Sequence, residues 1–249
     1  MSAIAVSLIV FACVFAGALF GMQIRRFLPE HFLGAESKDV VRIGTGLIGT
    51  MAALVLGLVL AGAEGSYDTL KNELTQVSAQ IVVLDRVLAH YGPETKEARA
   101  ALRHVVQGAL DHLWARNDRM PAEPAYVQNE AFYDSILELT PKDDPQRLLK
   151  TQATNLALQL GQTRWLMFQQ QSVSIPTPLL VIVVFWLTIS FISFGLFAPR
   201  NGIVVTTLLL CALSVAGAVL LIMEFYSPFQ GIIRLSSTPL HNALMNLGR

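Results

Sequence analysis

The chain has 249 residues, 53% hydrophobic and only 14% charged; a soluble domain of this size carries nearer a quarter charged residues, which argues against a purely water-soluble protein. Its 18 basic and 18 acidic residues balance, and no basic cluster occurs, so nucleic acid is not an expected partner. The charges are unevenly placed. Four runs carry none: Ala3–Met22, Ile43–Ala63, Leu179–Pro199 and Gly202–Met223, each of 20–22 residues. At ~1.5 Å per helical residue, each crosses a ~30 Å hydrocarbon core.

The first run contains Ala16-Gly17-Ala18, which has the small-residue character of a signal-peptide cleavage site. No positive segment precedes it and the apolar run is long, so it is expected to remain as a first membrane helix. The second run is rich in small residues: Gly44, Gly46, Gly49, Ala53, Gly57, Ala61 and Gly62. Beyond it, apolar residues fall at Leu70, Leu74, Val77, Ile81, Leu84, Leu88 and Tyr91, a heptad-like seam. No strong breaker precedes Gly92-Pro93, so residues 44–91 read as nearly one helix about 70 Å long, with a possible bend at Ala61-Gly62.

A second extramembrane helix is expected from Glu94 to Trp114, with Ala98, Leu102, Val105, Ala109 and Leu113 on one face. Asn117–Gln128, with Pro121 and Pro124, reads as a loop, and a short helix follows over Asn129–Leu139. Asp144-Pro145 resembles an N-cap followed by proline at the first helical position; that helix reaches Gln171. Pro176-Thr177-Pro178 then breaks the chain before the third span. The predicted class is an all-α membrane protein: four transmembrane helices in two hairpins flanking a helical extramembrane domain. The expected divisions are an N-terminal hairpin (1–63), the helical domain (64–175), a C-terminal hairpin (176–226) and a tail (227–249). The helical domain holds 14 acidic and 11 basic residues, so it sits in water.

Catalytic and metal chemistry are sparse. No ionisable residue lies at a span centre, which removes the usual machinery of proton-coupled transport. Cys13 and Cys211 lie mid-span and read as small apolar residues. His31, His90, His104, His112 and His241 are scattered, and no CxxC, HExxH or phosphate loop occurs. No enzyme activity, cofactor or metal is expected.

The small residues of the second span admit two readings. They could let helix backbones pack closely, or they could belong to a pore wall around a symmetry axis, where apolar side chains gate by dewetting. In the pore reading the lining residues are Thr50, Leu54 and Leu58 or, one register across, Ala52, Leu56 and Leu60. Glu64 and Asp68 continue the first register and would form acidic rings at the exit, favouring cations; the other reading of Glu64 is an ordinary interfacial charge at the end of a span.

The chain resembles the bestrophin-like membrane proteins of bacteria (the DUF4239 group) and, more distantly, the bestrophin ion channels. The resemblance rests on Glu36-Ser37-Lys38-Asp39-Val40-Val41-Arg42, Ala53-Leu54-Val55-Leu56-Gly57, Ser66-Tyr67-Asp68, the run Leu84–Glu94 and Phe194-Gly195-Leu196-Phe197-Ala198-Pro199-Arg200. The more distant match takes in Gly57, Ser66 and Tyr67, then Pro176 and Pro178, then Glu224 with Pro228 and Phe229. What it implies is a homo-oligomeric, pentameric, passive ion channel of the bacterial inner membrane, conducting inorganic ions through a pore lined by the second membrane helix. Leucines stand where that family has an aromatic neck, and no acidic cluster follows Pro228-Phe229, so no calcium clasp is implied. The resemblance places the helical domain in the cytoplasm. The flanking cations lean the other way: Arg25, Arg26, Lys38, Arg42 and Arg200 lie on the opposite side, against Lys71, Arg164 and Arg234. The alternative is a non-conducting membrane scaffold that binds a partner through the 70–91 seam.

Overall fold

A computed structural model describes residues 2–27, 29, 34–114, 123–171, 177–199, 201–229 and 231–248. Among them every regular element is helical and none is a strand. The helices are α1 (Ala3–Ile24), α2 (Ala35–Tyr91), a 3₁₀ turn (Pro93–Thr95), α3 (Lys96–Trp114), α4 (Glu123–Leu137), α5 (Asp144–Gln171), α6 (Thr177–Phe197), α7 (Gly202–Phe225) and α8 (Thr238–Asn246). Four of them, α1, α2, α6 and α7, are long and apolar enough to cross a membrane.

The helix ends follow local chemistry. Ser2 Oγ accepts from Ala5 N at the start of α1, and Asn201 Oδ1 accepts from Val204 N at the start of α7, each satisfying a backbone donor that lacks an intrahelical partner. Helix α2 stops where Gly92 adopts φ 136°, a conformation that glycine takes without a Cβ penalty. The buried Thr95 hydroxyl then donates to Leu88 O at 2.6 Å, covering one of the last α2 carbonyls.

Three boundaries differ from the sequence expectation. Helix α2 begins at Ala35 rather than at the apolar run, with Glu36 in its first turn, where negative charge complements the helix dipole. Helix α4 begins at Glu123, inside the stretch read as a loop. Pro124 in its first turn removes only a donor that would have been unpaired. At α5 the capping oxygen belongs to Asp143, which accepts from Gln146 N at 2.8 Å, and Asp144 instead pairs with Arg147. The rest of the expected loop, 117–122, and Pro176 lie outside the described residues.

The chain forms two compact units. The first comprises residues 1–67 and 174–233, the second 68–173 and 234–249. In the first, α1 packs on both α6 and α7, with Val14, Ala18, Phe191, Ala212 and Val219 in its core. Backbones touch at one crossing. A Cβ built on Gly21 would lie 2.0 Å from Ile192 O, and one on Gly195 would lie 2.0 Å from Ala18 O. Packing of this kind replaces the hydrophobic drive that lipid cannot supply. Ser7 Oγ donates to Ala216 O at 2.7 Å, and the Arg25 guanidinium donates to Ala198 O at the end of α6, where a cation also suits the helix dipole.

In the second unit the seam of α2 is buried against its own chain. Ile81, Leu84 and Leu88 join Leu102 and Val106 of α3, Ile136 of α4 and Leu240 of α8 in one core. The last residues, read from sequence as a tail, contribute α8 to this core. Asp85 is 1% exposed and receives both Nε and Nη2 of Arg99, at 2.7 and 2.8 Å, together with Gly248 N. Burial alone would raise its carboxyl; the Arg99 bonds, the Gly248 N–H and the Arg99 and Arg86 charges hold it below the usual carboxylate range. Arg103 Nη1 donates to Leu247 O and Trp114 Nε1 donates to Leu235 O, so the C-terminal segment is tied down at three points.

Candidate functional site

The membrane part of α2 is the least covered of the four spans by its own chain. Its two sides differ. Thr45, Ala52 and Ala63 are buried, whereas Ile43, Leu47, Leu54 and Leu58 are exposed. At about 100° per residue the two sets fall on opposite faces of one helix. Of the two registers read from sequence, Thr50, Leu54 and Leu58 lie on the open face, with Leu54 75% and Leu58 73% exposed. Ala52 is 0% exposed, and Leu56 and Leu60 are half-buried.

Glycines distinguish this helix further. A Cβ built at Gly44, Gly46, Gly49, Gly57 or Gly62 meets no described atom within 4 Å, unlike Gly21 and Gly195. Among the described residues, therefore, these glycines of α2 do not serve close helix packing. Thr50 satisfies its hydroxyl on Leu47 O, and Ser66 satisfies its own on Gly62 O, so neither polar group breaks the helix. Glu64 and Asp68 follow one turn apart, both exposed.

Other residues singled out from sequence gather where α7 ends. Glu224 is 4% exposed, and its Oε2 accepts from Ile232 N and from Ile233 N, the latter at 3.2 Å. The Tyr67 ring meets the Phe225 ring edge-on, with centroids 5.5 Å apart. Pro228 is buried and Phe229 half-buried nearby in sequence, whereas Pro178 is exposed at the start of α6. Sequence reasoning missed Phe225 and Gly231 at this place, because an aromatic next to a span end and a lone loop glycine are both commonplace. Among the described residues no group of three or more metal-ligating side chains converges.

Comparison with known proteins gives the family and the fold. The model of the Bestrophin-like domain matches residues 10–240. The chain belongs to the Bestrophin-like family. Two crystal structures of a bacterial bestrophin homologue from Klebsiella pneumoniae, each a point mutant, share the fold of this family member. They align over 96% of this chain and 97% of theirs, at 13% and 14% identity, with TM-scores of 0.67 and 0.66. No curated protein sequence matches this chain. The Bestrophin-like chain is thus an all-α, multi-pass membrane protein.

Proposed function

We propose that this protein is the subunit of a homo-oligomeric, passive ion channel, a pentamer in the bacterial inner membrane with α2 lining the pore. The observation that carries this reading is the two-sided α2: Ala52 on one face is buried, and Thr50, Leu54 and Leu58 on the other are exposed among the described residues. An uncovered face of threonine and leucines that meets carboxylates where the helix leaves the membrane suits the wall and mouth of a pore. Around a symmetry axis the same face makes sense. Leu54 and Leu58 narrow the path and gate by dewetting, and Glu64 and Asp68 form acidic rings that favour inorganic cations. In this reading the helical domain 64–175 faces the cytoplasm, the side that the family resemblance favours over the flanking cations.

The scaffold reading loses its proposed surface, because Ile81, Leu84 and Leu88 of the seam are filled by the subunit's own core. The test is current across planar bilayers containing the purified oligomer, together with its mass in detergent. Ion-selective current from a pentamer is the expected result. A monodisperse, folded preparation that passes no current overturns the proposal.

A further inference from the structure

Glu224 occupies an unfavourable place twice over. It lies in the last turn of α7, where the helix dipole disfavours negative charge, and it is almost wholly buried, where an ionised carboxylate is costly unless hydrogen-bonded. What holds it there is the loop after α7. The Ile232 and Ile233 N–H groups both donate to Oε2, which satisfies the buried acceptor. Gly231 makes the approach possible: its φ is +116°, and a Cβ there would fall 2.4 Å from Oε2. The next residue along α7, Phe225, rests edge-on against Tyr67 of α2, less than one turn beyond Glu64.

We propose that Glu224 is a positioning residue: its carboxylate clasps residues 231–233 to the end of α7, seats Phe225 against Tyr67, and so sets where α2 leaves the membrane. The coupling stands on the contacts above; its consequence for ion passage rests on α2 being the pore helix. Because both N–H groups use a single oxygen, a glutamine that places its carbonyl oxygen there keeps both bonds. Acceptor geometry, rather than charge, is the essential property.

The test uses the full-length protein in detergent and in liposomes. Glu224→Leu removes the acceptor, Glu224→Gln keeps it, and Tyr67→Leu removes the ring contact. Melting temperatures of Glu224→Leu, Tyr67→Leu and the double variant form a cycle. If the clasp acts through Phe225 on Tyr67, the double variant loses less than the sum of the singles; additive losses overturn the coupling. Should Glu224→Leu fail to fold, Gly231→Ala, which crowds the carboxylate while retaining it, takes its place in the same cycle. Ion flux is then expected to change several-fold in Glu224→Leu and to stay near the natural level in Glu224→Gln. A coupled cycle with unchanged flux in a conducting protein overturns the role in conduction. A coupled cycle in a protein that conducts nothing upholds the clasp and removes the channel reading instead.

Discussion

Gly21 of α1 and Gly195 of α6 mark the point where two membrane helices touch backbone to backbone; a side chain on either would collide with a main-chain carbonyl 2.0 Å from its Cβ. Neither helix can yield locally at that point, since Ala18 and Phe191 are themselves buried in the same core.

Gly21→Leu or Gly195→Leu is therefore expected to destabilise the subunit by at least about 2 kcal/mol, the scale of overpacking in a tight interior. Gly57→Ala is expected not to lower the melting temperature of the subunit, because nothing described lies within 4 Å of its Cβ and alanine is the better helix former. A thermal-shift comparison in detergent checks both. Equal losses at Gly57 and Gly21 would contradict the assignment of close packing to the α1–α6 crossing.

The open and seated faces of α2 predict different phenotypes. Leu54→Trp and Leu58→Trp should change ion flux several-fold while leaving expression and melting intact. Ala52→Trp, on the seated face, should instead impair folding, with a cost of roughly 1–3 kcal/mol or more. Liposome flux assays paired with melting curves separate the two outcomes. If Ala52→Trp folds normally and alters flux while Leu54→Trp does neither, the pore register is reversed.

The proposed acidic rings are tested through selectivity. Glu64→Gln with Asp68→Asn removes two carboxylates per subunit from exposed positions, and the cation-to-anion permeability ratio should fall. Reversal potentials in a salt gradient report it directly. An unchanged ratio would place these residues away from the ion path.

The Asp85–Arg99 pair gives the second unit a defined response to acid. Burial works against the Asp85 charge, but Arg99, the Gly248 N–H and the Arg86 charge outweigh it, so the folded carboxyl titrates below its unfolded value. The folded state therefore binds the proton less readily than the unfolded chain. The stability this contributes is present above the ordinary carboxylate range and is lost as pH falls through the lowered folded value. Melting temperature should decline over that acidic window, and Asp85→Asn should flatten the decline. Arg99→Ala, which leaves the carboxylate buried without its bidentate partner, should cost about 3 kcal/mol at neutral pH.

Much of the architecture is legible in the sequence because lipid imposes one-dimensional rules. A run of 20 or more uncharged residues can satisfy its backbone only as a helix, so the four spans can be read without tertiary information. The seam from Leu70 to Tyr91 is equally local, since the 4,3 spacing puts one stripe of apolar side chains on one face. Caps were less secure. Asp143 and Asp144 are adjacent acids before a proline, and only the direction of the Gln146 N–H selects the first. The tail 227–249 carried too little hydrophobic pattern to reveal that α8 fills the core beside Leu102.

The second membrane helix was distinguished by its glycines, yet composition alone could not say whether they serve packing or an open face. That depends on what lies across from each residue, a property of distance through space rather than along the chain. Four spans, a helical water-facing domain and a continuous α2 follow from the order of residues alone, because hydropathy and periodicity are local. It takes the folded chain to see that α1 packs tightly on α6 at Gly21 and Gly195, that Ala52 is covered while Leu54 and Leu58 are exposed, and that Glu224 bonds the loop beyond Phe225. Those contacts join residues up to 177 positions apart, and no local pattern encodes which pair will meet.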